Sequence, residues 1–132
     1  MILIDSNVWI DLIQRDAQWL DWSLAQVQAA RAAQQAVINP VIYAELAPTY
    51  DDAGSLARFI DQSGAKLMPL SAASAYLAGR AFLRYRRQRG GKTGVLPDFF
   101  IGAQAQSEGW TLLTRDAGRY QSYFPAVKLI CP

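Results

Sequence analysis

The sequence contains no histidine and a single cysteine among its 132 residues. The absence of histidine excludes Ser-His-Asp and Cys-His nucleophiles, paired-histidine general acid and base catalysis, and an ordinary zinc site. The lone cysteine, Cys131, cannot form a disulfide within the chain and is interpreted as an inert thiol. An enzyme built from this sequence would therefore depend on carboxylates and a metal ion.

Long apolar runs are absent as well. The opening run from Met1 to Ile4 ends at Asp5 and is too short for a signal peptide. No stretch approaches the roughly 18 apolar residues that cross a membrane, so we expect a cytoplasmic protein without membrane contact. The length and a hydrophobic content of 52% suit one independent core, and we predict a single domain over residues 1–132.

Short β-type runs alternate with helical patterns along the chain. This alternation is typical of an α/β fold in which helices cover both faces of a mainly parallel sheet. The predicted helices lie at about 7–13, 19–34, 40–47, 51–62, 71–87 and 98–107. The predicted strands lie at 2–5, 36–38, 66–68, 111–114 and 127–130.

Four acidic residues stand near the ends of apolar runs. Because the carboxyl ends of parallel strands meet at one edge of a sheet, we expect these side chains to converge. Crowded carboxylates repel one another unless a cation lies between them, and oxygen ligands suit Mg²⁺ or Mn²⁺. Each acid also has an ordinary structural explanation, as a helix cap, a turn cap or one half of a surface ion pair. The four are Asp5, Glu45, Asp98 and Asp116.

The segments that carry these acids resemble, in order and spacing, the acidic motifs of PIN-domain ribonucleases. They are Ile2-Leu3-Ile4-Asp5-Ser6-Asn7-Val8, Tyr43-Ala44-Glu45-Leu46, Leu96-Pro97-Asp98-Phe99-Phe100-Ile101-Gly102-Ala103 and Leu112-Leu113-Thr114-Arg115-Asp116. The closest likeness is to VapC-type toxins of prokaryotic toxin-antitoxin pairs, and it extends over essentially the whole chain. The chain departs from the family pattern at Ser6, where threonine is frequent, and in having no further acid closely after Asp116, which leaves open whether one or two metal ions bind.

The resemblance implies a three-layer α/β/α PIN domain that acts as a metal-dependent endoribonuclease. Asp5, Asp98 and Asp116 would hold Mg²⁺ or Mn²⁺, directly or through water, and Glu45 would complete the site. A bound metal ion supplies a nucleophile without histidine, so hydrolysis should leave a 5′-phosphate and a 3′-hydroxyl. The resemblance also implies a homodimer, or a higher toxin-antitoxin assembly, whose acidic groove is blocked by a small antitoxin. Trp9, Trp19 and Trp22 are candidates for that contact or for internal packing.

Two further polar residues lie beside the acids. Asn7 and Thr114 are expected to orient a ligand carboxylate or a bound water, although a role at a helix start or strand end is equally ordinary. Asp11 falls one helical turn past Asn7 and is interpreted as a surface charge.

Positive charge concentrates at the end of the predicted helix 71–87 and in the glycine-rich loop that follows. The net charge is only +2, so this concentration is local. The functional interpretation is contact with RNA phosphates, and the alternative is a solvated helix end whose basic residues favour the helix dipole. The residues concerned are Arg84, Arg86, Arg87, Arg89 and Lys92.

Two functions of other classes remain open at this point. A magnesium-dependent phosphatase or phosphoryl-transfer enzyme would use Asp5 as nucleophile, but the usual motif has a second aspartate where Asn7 stands. A non-catalytic RNA-binding or partner-binding module is disfavoured because an idle cluster of four like charges would only destabilise the fold.

Overall fold

The computed structural model describes residues 1–88 and 90–132, and within them five strands form one sheet. All four pairings are parallel, and the strand order is β3-β2-β1-β4-β5. The sheet confirms the predicted α/β class. The strands are β1 (Ile2–Ile4), β2 (Ala36–Ile38), β3 (Lys66–Leu67), β4 (Thr111–Leu113) and β5 (Leu129–Ile130).

Seven α-helices connect and cover these strands in the described residues. Six correspond to the predicted helices to within a few residues, and α6 begins two residues before Asp98 instead of at it. The seventh, α7, was not predicted. The helices are α1 (Ser6–Ile13), α2 (Leu20–Ala32), α3 (Pro40–Leu46), α4 (Ala53–Ser63), α5 (Ala72–Arg87), α6 (Leu96–Glu108) and α7 (Gly118–Tyr123).

Local sequence signals set several helix boundaries. The Asp5 carboxylate accepts a hydrogen bond from the Ser6 amide at 2.7 Å and caps α1. The Asn39 side chain caps α3 in the same way, and Pro40 occupies its first turn. Gly109 ends α6 with a φ of 70°, a left-handed conformation that favours glycine.

Both faces of the sheet are covered, which makes the fold three-layered. Leu3 and Ile4 are fully buried, and so are Val37 and Ile38. Because successive strand residues point to opposite faces, burial of both members of each pair requires helices on each side. Trp9 belongs to this core with no exposed surface, so it is packed internally. Among the described residues, none of the helices has the length and apolarity needed to span a membrane.

The central strand β1 marks the point where the chain changes direction across the sheet. From β1 the chain builds outward through β2 to β3, then returns to the other side of β1 as β4 and β5. The carboxyl ends of β1 and β4 therefore lie side by side, and the Asp5 amide donates to the Leu113 carbonyl at 2.9 Å. Ligand sites of open α/β sheets form at such a switch point.

Candidate active site

Asp5 lies at the centre of the switch point and is held by several donors. It is only 3% exposed, and Oδ1 accepts from the Ser6 amide. Its Oδ2 accepts from the Thr114 hydroxyl at 2.8 Å and from the Tyr120 hydroxyl at 3.0 Å. Burial raises the pKa of Asp5 above its usual value, although these hydrogen bonds lower it. Asp5 is thus fixed in orientation and costly to ionise without a nearby cation.

Asn7 and Thr114 connect β1 to the loop after β4. The Asn7 amide nitrogen lies 3.3 Å from Asp5 Oδ2 and 3.2 Å from Thr114 Oγ1, while its oxygen accepts from the Arg115 amide at 3.1 Å. Thr114 has no exposed surface, and its hydroxyl also accepts from the Asp116 amide at 3.1 Å. Both side chains therefore contact Asp5 and the segment that leads to Asp116, as a positioning role requires.

Asp98 lies in the first turn of α6 and forms an ion pair with Arg119 of α7. Burial raises the pKa of Asp98, while Arg119 lowers it and the neighbouring Asp116 raises it. The carboxyl is partly open to solvent, with a side-chain exposure of 29%. Asp98 is therefore an accessible carboxylate that already has one positive partner.

Glu45 on α3 carries the one buried side-chain polar atom that has no hydrogen-bond partner in the described part of the chain. That atom is Oε1. The pKa of Glu45 is raised to about 7, mainly by burial and also by the charges of Asp5 and Asp98, while a hydrogen bond with Ser6 opposes the shift. An acceptor buried without a donor is unusual in a folded protein and is typical of a ligand site.

Asp116 is exposed in the loop between β4 and α7. Its Oδ1 accepts from the Gly118 amide at 3.3 Å, so the predicted turn-capping contact is present. Its charge also raises the pKa of Asp98, which shows that the two carboxylates are neighbours.

The four predicted carboxylates are electrostatically coupled to one another. The charge of Asp98 raises the pKa of Asp5, both of them raise that of Glu45, and Asp116 raises that of Asp98. These residues lie just after β1, on α3, on α6 and in the loop after β4, so only the fold unites them. The fold therefore brings each of the four acids that the sequence singled out within electrostatic range of at least one other.

Tyr120 is a residue of this site that the sequence analysis missed. It is 2% exposed, and its pKa is well above the usual value because burial and the nearby carboxylates disfavour the phenolate. It therefore donates to Asp5 as a neutral phenol. The only local signal was a tyrosine shortly after Asp116, and a helix of six residues at that point is too short to show a clear periodicity.

Asp11 was wrongly interpreted as a surface charge. It is 1% exposed and accepts from Arg115 Nε at 2.7 Å, Arg115 Nη2 at 3.0 Å and the Ser23 hydroxyl at 2.6 Å. The Arg115 guanidinium also lies 5.2 Å from the Trp19 ring centre. This bidentate pair ties the residue before Asp116 to α1 and α2, so Asp11 helps to fix the loop after β4.

The chemistry of this donor set fits a hard divalent cation. It consists of carboxylate oxygens, and the pKa is raised at Asp5, Glu45 and Asp98; one of the oxygens is the unpartnered Oε1 of Glu45. Within residues 1–88 and 90–132, no three acidic or thiol side chains are yet close enough to enclose an ion, and Arg119 is bound to Asp98. Binding of one ion by three of these carboxylates would therefore require them to move closer together.

The predicted basic segment lies at the end of α5, which packs along α6. Arg84, Arg86 and Arg87 are exposed in the last turn, and Lys92 is exposed in the following loop, while Arg89 falls outside the described residues. The two salt bridges of the described residues, Asp11–Arg115 and Asp98–Arg119, leave these side chains available to solvent and ligands.

An apolar cavity of about 430 Å³ opens beside Glu45. It lies between α3 and the start of α6, so one wall carries a candidate site residue and the rest is hydrophobic. Its lining residues are Pro40, Val41, Ala44, Glu45, Leu96, Pro97 and Phe100.

The fold and site together define an α/β protein with an acidic cluster at the carboxyl edge of a parallel sheet. Residues 2–123 match the family model of the PIN domain, and the chain belongs to this family. PIN-domain nucleases generally use divalent metal ions. No curated protein matches the sequence.

Several solved structures share the fold. VapBC2 from Rickettsia felis, bound to a promoter DNA fragment, matches with a TM-score of 0.74 and 17% identity over 100% of this chain and 99% of that chain. DNA-bound VapBC from Salmonella typhimurium has a TM-score of 0.71 and 15% identity over 98% and 96%. A toxin-antitoxin complex from Klebsiella pneumoniae has a TM-score of 0.67 and 22% identity over 96% and 95%. At these identities the likeness concerns the fold.

Proposed function

We propose that this protein is a metal-dependent endoribonuclease that acts as the toxin of a toxin-antitoxin pair. The observation that carries the proposal is the convergence of four carboxylates from separate elements, each coupled electrostatically to another, at the switch point of a PIN-domain sheet. Such a cluster opposes folding unless it serves a cation. RNA is the substrate class, and Mg²⁺ or Mn²⁺ is the cofactor.

Each acid has a distinct role in this proposal. Asp5, Asp98 and Asp116 hold the metal, with Asp5 fixed by Thr114 and Tyr120 before any ligand arrives. When bound, the divalent cation activates water and neutralises charge on the scissile phosphate. Oε1 of Glu45 has no partner among the described residues and is the acceptor available to orient the attacking water.

The phosphatase alternative is disfavoured by the surroundings of Asp5. A nucleophilic carboxylate must approach a phosphorus atom that carries bulky substituents, but Asp5 is 3% exposed and both its oxygens accept hydrogen bonds. A metal ion is small enough to share one of these oxygens. The burial and hydrogen bonds of Asp5 therefore suit a metal ligand and not a nucleophile.

RNA cleavage by chelator-treated protein tests the proposal. We expect activity only after addition of Mg²⁺ or Mn²⁺, products with a 5′-phosphate and a 3′-hydroxyl, and a loss of about 100-fold or more in Asp5→Asn and Asp98→Asn. Asp21→Asn is the matched control, because Asp21 is exposed on α2 and the substitution removes the same charge. Cleavage that persists in EDTA, or that yields cyclic phosphates, would exclude this mechanism.

The proposed partner is a small antitoxin encoded by a neighbouring reading frame, and the proposed assembly is a cytoplasmic homodimer or a larger toxin-antitoxin complex. The fold neighbours include a toxin-antitoxin complex and VapBC bound to DNA, and the apolar cavity beside Glu45 offers a partner hydrophobic surface next to the acids. Expression of this chain alone should arrest bacterial growth, whereas Asp98→Asn should not. Co-expression with the neighbouring frame should restore growth.

A further inference from the structure

Arg119 is a positive charge in direct contact with one of the candidate metal ligands, Asp98. It occupies the second position of α7, and its Nη1 forms an ion pair with Asp98 Oδ2. Its neighbour Tyr120 donates to Asp5, so α7 covers the acidic edge with two consecutive residues. Both side chains of the ion pair are partly exposed, Arg119 by 23% and Asp98 by 29%.

The ion pair compensates a charge that the fold otherwise leaves unbalanced. Asp98 has Asp116 beside it, and its own charge raises the pKa values of Asp5 and Glu45. Arginine keeps its charge at any physiological pH, so the guanidinium is a permanent counter-ion for this carboxylate. It performs, in the absence of metal, the neutralisation that a divalent cation would otherwise provide.

We propose that Arg119 is an internal counter-ion that competes with the divalent cation for Asp98 and so lowers the metal affinity of the site. The inference rests on the proposed metal-dependent function. Arg119 occupies Oδ2, one of the two Asp98 oxygens that a cation could bind, and the two positive charges repel each other at close range. Because both side chains are partly exposed, Arg119 can move to solvent without opening the core.

The test is a calorimetric titration of Mn²⁺ into chelator-treated protein at low salt. Arg119→Gln should bind Mn²⁺ about five-fold or more tightly than the wild type, since the competing charge is gone. Lys128→Gln is the matched control: Lys128 precedes β5 at the opposite edge of the sheet, and its loss should change the affinity by less than about two-fold. Asp98→Asn should abolish or strongly weaken binding in both backgrounds.

The outcomes separate this inference from the proposed function. Binding that depends on Asp98 but is equal or weaker in Arg119→Gln would overturn the competition alone, because a merely structural ion pair supports Asp98. Equal gains in Arg119→Gln and Lys128→Gln would also overturn it, since they would reflect net charge. No binding by the wild type or any variant would overturn the metal site and the inference together.

Thermal melting supplies a second readout that does not depend on activity. Without metal, Arg119→Gln should melt below the wild type, because the carboxylates lose their counter-ion. With saturating Mn²⁺ it should gain more in melting temperature than the wild type does. A smaller or equal gain would contradict competition and leave Arg119 a structural residue only.

Discussion

At the scale of single residues, the site contains three carboxylates, Asp5, Glu45 and Asp98, whose ionisation the fold makes costly. Asp5 accepts hydrogen bonds from five side-chain or backbone donors and still has a raised pKa, because burial outweighs them. The Oε1 atom of Glu45 accepts no hydrogen bond from the described residues. The metal-free site therefore stores unfavourable electrostatic free energy, which a cation can relieve.

Glu45→Gln should reveal this free energy through its pH dependence. The pKa of Glu45 is raised from 4.5 to about 7 in the folded protein, so the folded protein binds this proton more tightly than the unfolded chain does. The stabilisation that results is fully present below pH 4.5 and is lost as the pH rises through about 7. A shift of one unit corresponds to about 1.4 kcal/mol, and partial exposure reduces the effect. In chelator, Glu45→Gln should therefore raise the free energy of unfolding by about 1 kcal/mol at pH 8.

Urea unfolding of metal-free protein at pH 5 and pH 8 checks this expectation. Most of the gain from Glu45→Gln should be absent at pH 5, where the folded wild type already carries a protonated Glu45. Asp21→Asn, at an exposed position on α2, should show little change between the two pH values. Equal destabilisation by Glu45→Gln at both would contradict a strained carboxylate.

Tyr120→Phe isolates the hydrogen bond to Asp5. The change removes only the hydroxyl that donates to Asp5 Oδ2 at 3.0 Å, and a bond to a charged acceptor contributes about 1.5–3 kcal/mol. We expect a loss of about that size in the wild-type background and a smaller loss in Asp5→Asn, measured as a double-mutant cycle by urea unfolding. Tyr76→Phe is the control, because Tyr76 is 73% exposed. Additive losses would mean that the Asp5 contact is not what Tyr120 stabilises.

At the scale of elements, α6 and the chain after β4 must pack closely for the site to form. Gly102 in the buried part of α6 faces the Phe124 ring directly, and a methyl group there would overlap the ring atoms. This approach holds α7, which ends just before Phe124, against the helix that carries Asp98. The Asp11–Arg115 pair fixes the other end of the same segment. Asp116, Arg119 and Tyr120 are therefore positioned by contacts on both sides.

Two glycine-to-alanine substitutions should have opposite effects. Gly102→Ala forces Phe124 or α6 to shift and should destabilise the protein by about 1–3 kcal/mol. Gly79→Ala, at an exposed position in α5 where a methyl group meets nothing within 4 Å, should stabilise it by about 0.5–1 kcal/mol. Thermal melts of both variants measure the contrast. A neutral Gly102→Ala would show that the α6 contact with Phe124 is loose.

At the scale of the whole molecule, the acidic cluster and the basic segment occupy different places on the fold. The acids gather at the carboxyl edge of the sheet, while a run of basic residues extends from the last turn of α5, which packs against the helix that carries Asp98. A net charge of only +2 therefore hides a local arrangement suited to holding a polyanion near the acids. That role for the basic residues stays a prediction.

The salt dependence of RNA binding tests whether these basic residues contact RNA phosphates. In an Asp5→Asn background that prevents cleavage, the combined variant Arg84→Gln, Arg86→Gln and Arg87→Gln should bind more weakly. Its slope of log affinity against log salt should fall by about 2, as expected for three lost phosphate contacts on single-stranded RNA.

The matched control removes three exposed basic residues from the amino edge of the sheet. Arg31→Gln, Lys66→Gln and Lys128→Gln together change the net charge by the same amount. Arg31 lies in the last turn of α2, Lys66 begins β3 and Lys128 directly precedes β5. The slope should stay close to that of the parent. Equal losses in both combined variants would mean that net charge, and not the basic segment, attracts RNA.

Local patterns in the sequence determined the fold class, most element boundaries and the four acids. Several of these signals act over a few residues and can be recognised in the sequence alone. They are the strand-helix alternation, the caps at Asp5 and Asn39, and the glycine at 109. The position of an acid at a strand end is likewise local. Its convergence with the others followed from the general geometry of parallel sheets.

Only the tertiary structure decided how those acids are held and neutralised. The Arg119–Asp98 ion pair joins residues 21 positions apart, and the Tyr120 bond to Asp5 spans 115 positions, so neither leaves a pattern in the sequence. Asp11 was interpreted as a surface charge because its partner, Arg115, lies 104 positions away and leaves no local pattern. α7 has only six residues, and a helix of that length is stable because of the contacts it makes rather than its own propensity.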